Sequence, residues 1–117
     1  MTHHLNILSI NKEHCFIKKK GCYHKIPIKD IYYMKAEGDY VNIYTAKGRY
    51  INTSSLSELE EQFEGDGFFR THRSYLVNIK NLTSINTETN VIVIGEQTIP
   101  LSRKLKGKFL KKFRLID

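Results

Sequence analysis

Only two cysteines, Cys15 and Cys22, occur in 117 residues, and they do not form the CxxC pair that would suggest zinc or redox chemistry. Reduced thiols are expected. Proline is as scarce: Pro27 and Pro100 each read as the end, or the edge, of a strand, because proline cannot donate to a ladder. No apolar run approaches the roughly 20 residues of a membrane helix, and Met1 to Ile10 lacks a basic start followed by a long apolar stretch. Together these absences predict a cytoplasmic protein with no membrane partner. Paired carboxylates, a glycine-flanked serine and metal-ligand spacing are all missing. His3 and His4 are adjacent rather than four apart on a helix, so no metal is assigned to them. A hydrolase or nuclease built on His72 and Ser74 therefore has no supporting machinery, and neither enzymatic activity nor a cofactor is expected.

Acidic residues are scarce at one end. Residues 102–117 hold seven bases (Arg103, Lys104, Lys106, Lys108, Lys111, Lys112, Arg114) and one acid, Asp117, which accounts for +6 of the net charge of +7. A compact basic end on a nearly neutral body is the electrostatic footprint of a polyanion binder. The length fits one domain with a modest core. The composition, 40% apolar and 26% charged, is that of a globular chain.

Most of the chain has the grammar of strands. Residues 1–14 read as an N-terminal extension that frays or adds an edge strand, and 15–117 as the folded domain. Cys15 to Lys19 and Cys22 to Ile28 form a hairpin through Lys20 and Gly21. Ile31 to Glu37, Tyr40 to Thr45 and Arg49 to Thr53, separated by Gly38-Asp39 and Ala46-Lys47-Gly48, predict an antiparallel meander. The Glu37 to Tyr40 connection becomes a surface loop on a rigid base. Leu82 to Thr87, Val91 to Ile94 and Gln97 to Leu101 follow, joined by a polar turn at Glu88 to Asn90 and a type II′ turn at Gly95-Glu96. Four consecutive β-branched residues predict that Val91 to Ile94 is buried on both faces.

Two stretches are helical. Ser55 and Glu58 have capping-box spacing, and Leu56, Leu59 and Phe63 give the Ser54 to Glu64 helix one apolar face. Its other face carries Glu58, Glu60, Glu61 and Glu64, which predicts that this side points away from any nucleic acid. The last helix starts at the cap Ser102 and presents Leu105, Phe109 and Phe113 to the sheet, with its cations facing outward.

The stretch that organises the rest is Phe68 to Asn78. Its apolar anchors, Phe68-Phe69 and Tyr75-Leu76-Val77, flank the polar cluster His72, Arg73 and Ser74, and so fix three hydrogen-bonding groups at one place on the surface. From about Ile17 to Phe113 the chain resembles a LytTR-type DNA-binding domain, the output module of many bacterial two-component response regulators. The matching residues are Ile31 through Val41, Ser55 to Leu59, Phe68 through Arg70, His72 to Asn78 and Ile99 to Arg103, in order and at family spacing.

The resemblance implies a mostly β fold of short antiparallel strands with one internal amphipathic helix and a short basic C-terminal helix. It implies transcription regulation through double-stranded DNA, with loops entering successive major grooves. Carried over by position, the contacting residues are Asp39 and Tyr40, Arg73 with its neighbours His72 and Ser74, and Arg103, with Lys104 and Lys106 on phosphates. It further implies repeated half-sites, two copies per site, and a receiver domain or sensor kinase pathway upstream. The alternative is an RNA-binding β module that stacks bases on Tyr32, Tyr40, Tyr44 and Tyr50.

Overall fold

The structure, a computed structural model, describes residues 12–117. The expected fraying of the first residues and the His3-His4 pair lie outside the described residues. Ten strands and two α-helices follow one another: β1 (His14–Lys19), β2 (Cys22–Pro27), β3 (Ile31–Glu37), β4 (Tyr40–Thr45), β5 (Gly48–Asn52), α1 (Leu56–Gln62), β6 (Phe68–His72), β7 (Tyr75–Asn78), β8 (Leu82–Asn86), β9 (Val91–Ile94), β10 (Gln97–Pro100) and α2 (Arg103–Leu110).

The strands make three antiparallel sheets. The central sheet has the order β5-β4-β3-β7-β6, so the expected meander β3-β4-β5 is extended on the β3 side by the hairpin that carries the polar cluster. Alternation along its strands sends apolar side chains to both faces. Met34, Val41, Ile43 and Leu76 meet the β1-β2 hairpin and α1, where Ile17, Ile26, Leu56, Leu59 and Phe63 close one core. Tyr33, Phe69 and Val77 face the other way, into a second core formed with the β8-β9-β10 sheet and α2. The protein is thus a central sheet covered on both sides.

Two side chains fasten these layers. Asn78 is fully buried, and its amide donates to the carbonyls of Ile28 (3.2 Å) and Ile31 (3.0 Å), while its Oδ1 accepts from the Lys80 amide (3.2 Å). Leaving such groups unpaired would cost about 1 to 3 kcal/mol each. Phe109 is also fully buried, its ring 5.1 Å from that of Phe69 and 5.0 Å from that of Phe113. Its burial contributes about 1.5 to 3 kcal/mol to the docking of α2.

Three sequence expectations change. α1 keeps its capping box but runs only from Leu56 to Gln62, and Phe63 caps it. Gly65 and Gly67, at φ +87 and +90, then turn the chain into β6. β9 buries Ile92 and Ile94 fully but Val91 and Val93 only in part, because the three-stranded sheet has a neighbour on one face alone. α2 ends at Leu110, so Phe113 reaches the core from the segment after the helix.

Candidate nucleic-acid interface

Three loops meet at one end of the central sheet, and backbone pairing puts them there. β3 runs antiparallel to β7 with Lys35 opposite Tyr75, and the Ala36 amide donates to the Ser74 carbonyl at 2.9 Å. The β3-β4 turn at Gly38 and Asp39 therefore lies at the same sheet end as the β6-β7 turn at Arg73 and Ser74. The third loop joins them through the Ser102 amide, which donates to the Thr71 carbonyl at 2.8 Å. Ser102 then caps α2, its Oγ accepting from the Leu105 amide at 3.1 Å. Arg103 follows at once, exposed, in the first turn of α2.

The β6-β7 turn is held by its own side chains. A register shift between Arg70 and His72 inserts Thr71 as an extra residue, and His72 pairs with Tyr75 across a two-residue turn. His72 Nδ1 accepts from the Ser74 amide at 3.1 Å, which leaves Nε2 as the donor nitrogen of the neutral ring. The His72 ring also meets that of Tyr75 edge-on at 5.9 Å. Arg70 braces the turn from below. Its Nε and one terminal nitrogen donate to the Arg73 carbonyl, and the other terminal nitrogen reaches Glu60 of α1 at 3.0 Å. The Arg73 side chain itself stays exposed.

This contact gives one glutamate of the acidic α1 face a structural role. Glu60 fixes the hairpin from beneath, and the start of α1 lies beside the β3-β4 turn across a cleft of about 380 Å³ lined by Asp39, Tyr40, Ser55, Glu58 and Arg70. Only Glu61 and Glu64, farther along the chain, remain to form an acidic face.

The structure also separates the sequence-predicted residues by what they touch. Asp39, Tyr40, Arg73, Arg103 and Lys104 are exposed, with Tyr40 at 53%, while His72 and Ser74 are half-buried. Lys106 is half-buried and donates its ammonium to the Thr87 carbonyl at 2.6 Å, so it ties α2 to the β8-β9 loop. Lys112 sits over the Phe69 ring at 5.4 Å.

Lys35 belongs to this end as well, though nothing in its local sequence context marks it. It pairs with Glu37 at 3.2 Å and lies 5.6 Å from the Tyr75 ring. The bond to Glu37 and then the bond to Tyr75 raise its pKa above the ordinary lysine value, so it stays a cation. Asn42 donates to the other Glu37 oxygen. Beneath them Tyr33 stacks on Tyr44 at 4.6 Å, and burial, followed by the two neighbouring tyrosines, holds its phenol above the usual range. Among the described residues no three His, Cys, Asp or Glu side chains gather as a metal site, and no helix is long and apolar enough to cross a membrane.

Comparison with known proteins agrees with this architecture. Residues 21–114 match the family model of the LytTr DNA-binding domain. The chain is 43% identical over 81 residues to the sensory transduction protein LytT of Oceanobacillus iheyensis, covering 62% of this chain and 33% of that protein. It is 34% identical over 89 residues to the transcriptional regulatory protein YpdB of Escherichia coli, covering 75% and 36% respectively. The chain thus spans about a third of the length of the curated relatives it matches. A solved LytTr DNA-binding domain from Bacillus cereus superposes with a TM-score of 0.73 at 21% identity, over 85% of this chain and 94% of that one, which is a likeness of fold. With the family model spanning most of the residues that build both cores and all three loops, the chain belongs to the LytTR family of DNA-binding domains.

Proposed function

We propose that this domain binds duplex DNA sequence-specifically as the output part of a transcriptional regulator, using the three loops at one end of the central sheet. The observation that carries this reading is the convergence of Arg73 and Arg103. Two exposed guanidiniums from distant parts of the chain are brought to one sheet end by the hydrogen bond between Ser102 and Thr71. Each is backed by ordered structure, Arg73 by Arg70 and Arg103 by the capped first turn of α2. A guanidinium carried on backbone held in this way can meet guanine O6 and N7 bidentately in the major groove. Asp39 in the β3-β4 turn can accept from a cytosine amino group, and Tyr40 flanks it. Lys104 meets phosphate and sets orientation without reading sequence, and Lys106 does so from its anchored position on the β8-β9 loop. His72 and Ser74 hold the Arg73 turn in shape, and Lys35 supplies a further cation beside it.

One such end buries about 600 to 1,000 Å², the size of a single small reader. Two copies on repeated half-sites supply the affinity that one lacks, within a longer regulator whose other parts receive the signal. The rival RNA reading needs open aromatic platforms. Tyr50 is buried and Tyr44 is half-buried under its stack with Tyr33, which leaves Tyr32 and Tyr40 as separate exposed rings. Selection of bound fragments from a genomic duplex library, followed by competition with single-stranded RNA of matched length, tests the proposal. A recurrent duplex motif that RNA fails to displace is the expected result. Bound fragments without a shared motif, or displacement by RNA at equal concentration, would reject it.

A further inference from the structure

Two charged surfaces on this domain lie outside the three-loop end, and they have opposite sign. The β1-β2 hairpin covers one face of the central sheet from the β5 side, with Lys19 over the Tyr50 ring at 5.0 Å. Its register sets Phe16 opposite Lys25 and Lys18 opposite Tyr23. Ile17 and Ile26 point into the core, so these four alternate residues share the outer face. Phe16 is 57% exposed and Tyr23 is 63% exposed, a large apolar surface for a hairpin that no other described residue covers. Residues 15–27 contain four lysines and no acid.

The complementary surface is on α1, which covers the same face of the sheet nearer β6 and β7. Residues 54–69 contain five acids and no lysine or arginine. Glu58 is taken by the capping box and Glu60 by Arg70, which leaves Glu61 and Glu64 exposed in the part of α1 and its exit that leads away from the three loops. Among the described residues the ion pairs are Lys35-Glu37 and Arg70-Glu60, so Lys18, which lies over the Tyr23 ring at 5.8 Å, and Lys25 have no carboxylate partner there, and Glu61 and Glu64 have no cationic one.

We propose that the outer face of the β1-β2 hairpin of one copy docks on the Glu61-Glu64 surface of a second copy of this domain, so that neighbours bound to DNA touch. The occupant is a second copy because the chain carries both halves of the charge match. Both patches lie over the same face of the central sheet, so two copies facing one another can make this contact once or reciprocally. Phe16 and Tyr23 exclude water around the lysine pairs and strengthen what would otherwise be weak exposed ion pairs. This inference rests on two-copy binding, and it names the surface that links the copies.

The test compares binding to one half-site with binding to two tandem half-sites. Three variants are made: Lys18→Glu with Lys25→Glu, Glu61→Lys with Glu64→Lys, and all four changes together. Every position is exposed, and thermal melts check that each variant is folded. Each double variant is expected to lower the cooperativity factor on the tandem fragment by about fivefold or more, since two attractions become repulsions. The fourfold variant, in which an acidic hairpin faces a basic helix, is expected to recover it to within about twofold, as a direct pairwise interaction requires. Unchanged cooperativity in either double variant, or no recovery in the fourfold one, overturns the proposal. A loss in the hairpin variant equally large on the single half-site also overturns it, and makes Lys18 and Lys25 phosphate contacts instead. Independent filling of the two half-sites by the unmodified protein refutes the contact but leaves two-copy binding standing, whereas failure of a second copy to bind removes both.

Discussion

Arg70 is the residue whose replacement best separates holding the β6-β7 turn in shape from touching DNA. Its guanidinium spends two nitrogens on the Arg73 carbonyl and a third on Glu60, with side-chain exposures of 23% for Arg70 and 48% for Glu60. An ion pair this open contributes at most about 1 kcal/mol to folding, so Arg70→Ala should shift stability little. Its effect should fall on the turn. Two restraints remain there, the Ala36-Ser74 backbone bond and the Ser74 bond to His72, so the turn loosens without melting. Reordering about one residue's backbone on binding costs roughly 1 to 2 kcal/mol, or about a tenfold loss of affinity on the best site. The decisive comparison is Glu60→Ala. Removing an acid near a polyanion would tighten binding if Arg70 were a phosphate contact that Glu60 merely neutralised. The brace instead predicts that Glu60→Ala weakens binding, by about twofold to fivefold, because an exposed pair of this kind is worth under about 1 kcal/mol. Titrations of a labelled duplex by both variants at several salt concentrations give the answer. Tighter binding by Glu60→Ala, or a salt slope shallower by about one contact in Arg70→Ala, would refute the bracing role.

Other outcomes follow from the same arrangement. With about six cations meeting phosphate, the logarithm of affinity should fall with the logarithm of salt at a slope near −5, and a slope shallower than about −2 would show that the basic end does not lie along the backbone. Five base pairs inserted between the two half-sites should turn the second copy to the opposite side of the helix and abolish joint protection in a footprint, since half-site spacing follows turns of roughly 10 base pairs. Unchanged protection would contradict fixed geometry. At pH 8 iodoacetamide should label exposed Cys22 well before Cys15, whose thiol is pushed up to about 11 by burial and then by the nearby Asp66 carboxylate. The folded state holds the Cys15 proton above the ordinary thiol value, so this group's contribution favours folding below about pH 9 and declines as pH rises towards about 11. Mass mapping of the labelled peptides checks the order, and equal rates would place Cys15 outside the core.

The strands were legible because their turns are written in the chain: Lys20-Gly21, Gly38-Asp39 and Gly95-Glu96 each carry a glycine with positive φ between β-rich runs. The capping box at Ser55 and the cap at Ser102 were legible because they are local. Less visible was which strand neighbours which. Nothing local to β7 says that it pairs with β3, and that pairing creates the two-sided sheet and brings the three loops together. The same applies to Arg70. A strand arginine next to an organised turn reads as a solvated charge until α1 is placed beneath it. Lys35 follows suit, its nearness to Tyr75 existing only through the β3-β7 register. The four glutamates of α1 look equivalent in sequence, whereas the fold assigns Glu58 to a cap and Glu60 to a brace.

The most direct measurement of the central claim, that Arg73 and Arg103 read bases from one sheet end, is a titration of Arg73→Ala and Arg103→Ala against the best site and all its single-base substitutions. Each variant should lose about 1 to 3 kcal/mol on the best site and discriminate less at its own base position, with the two positions distinct. Equal losses on every sequence would make both arginines phosphate contacts and contradict the claim.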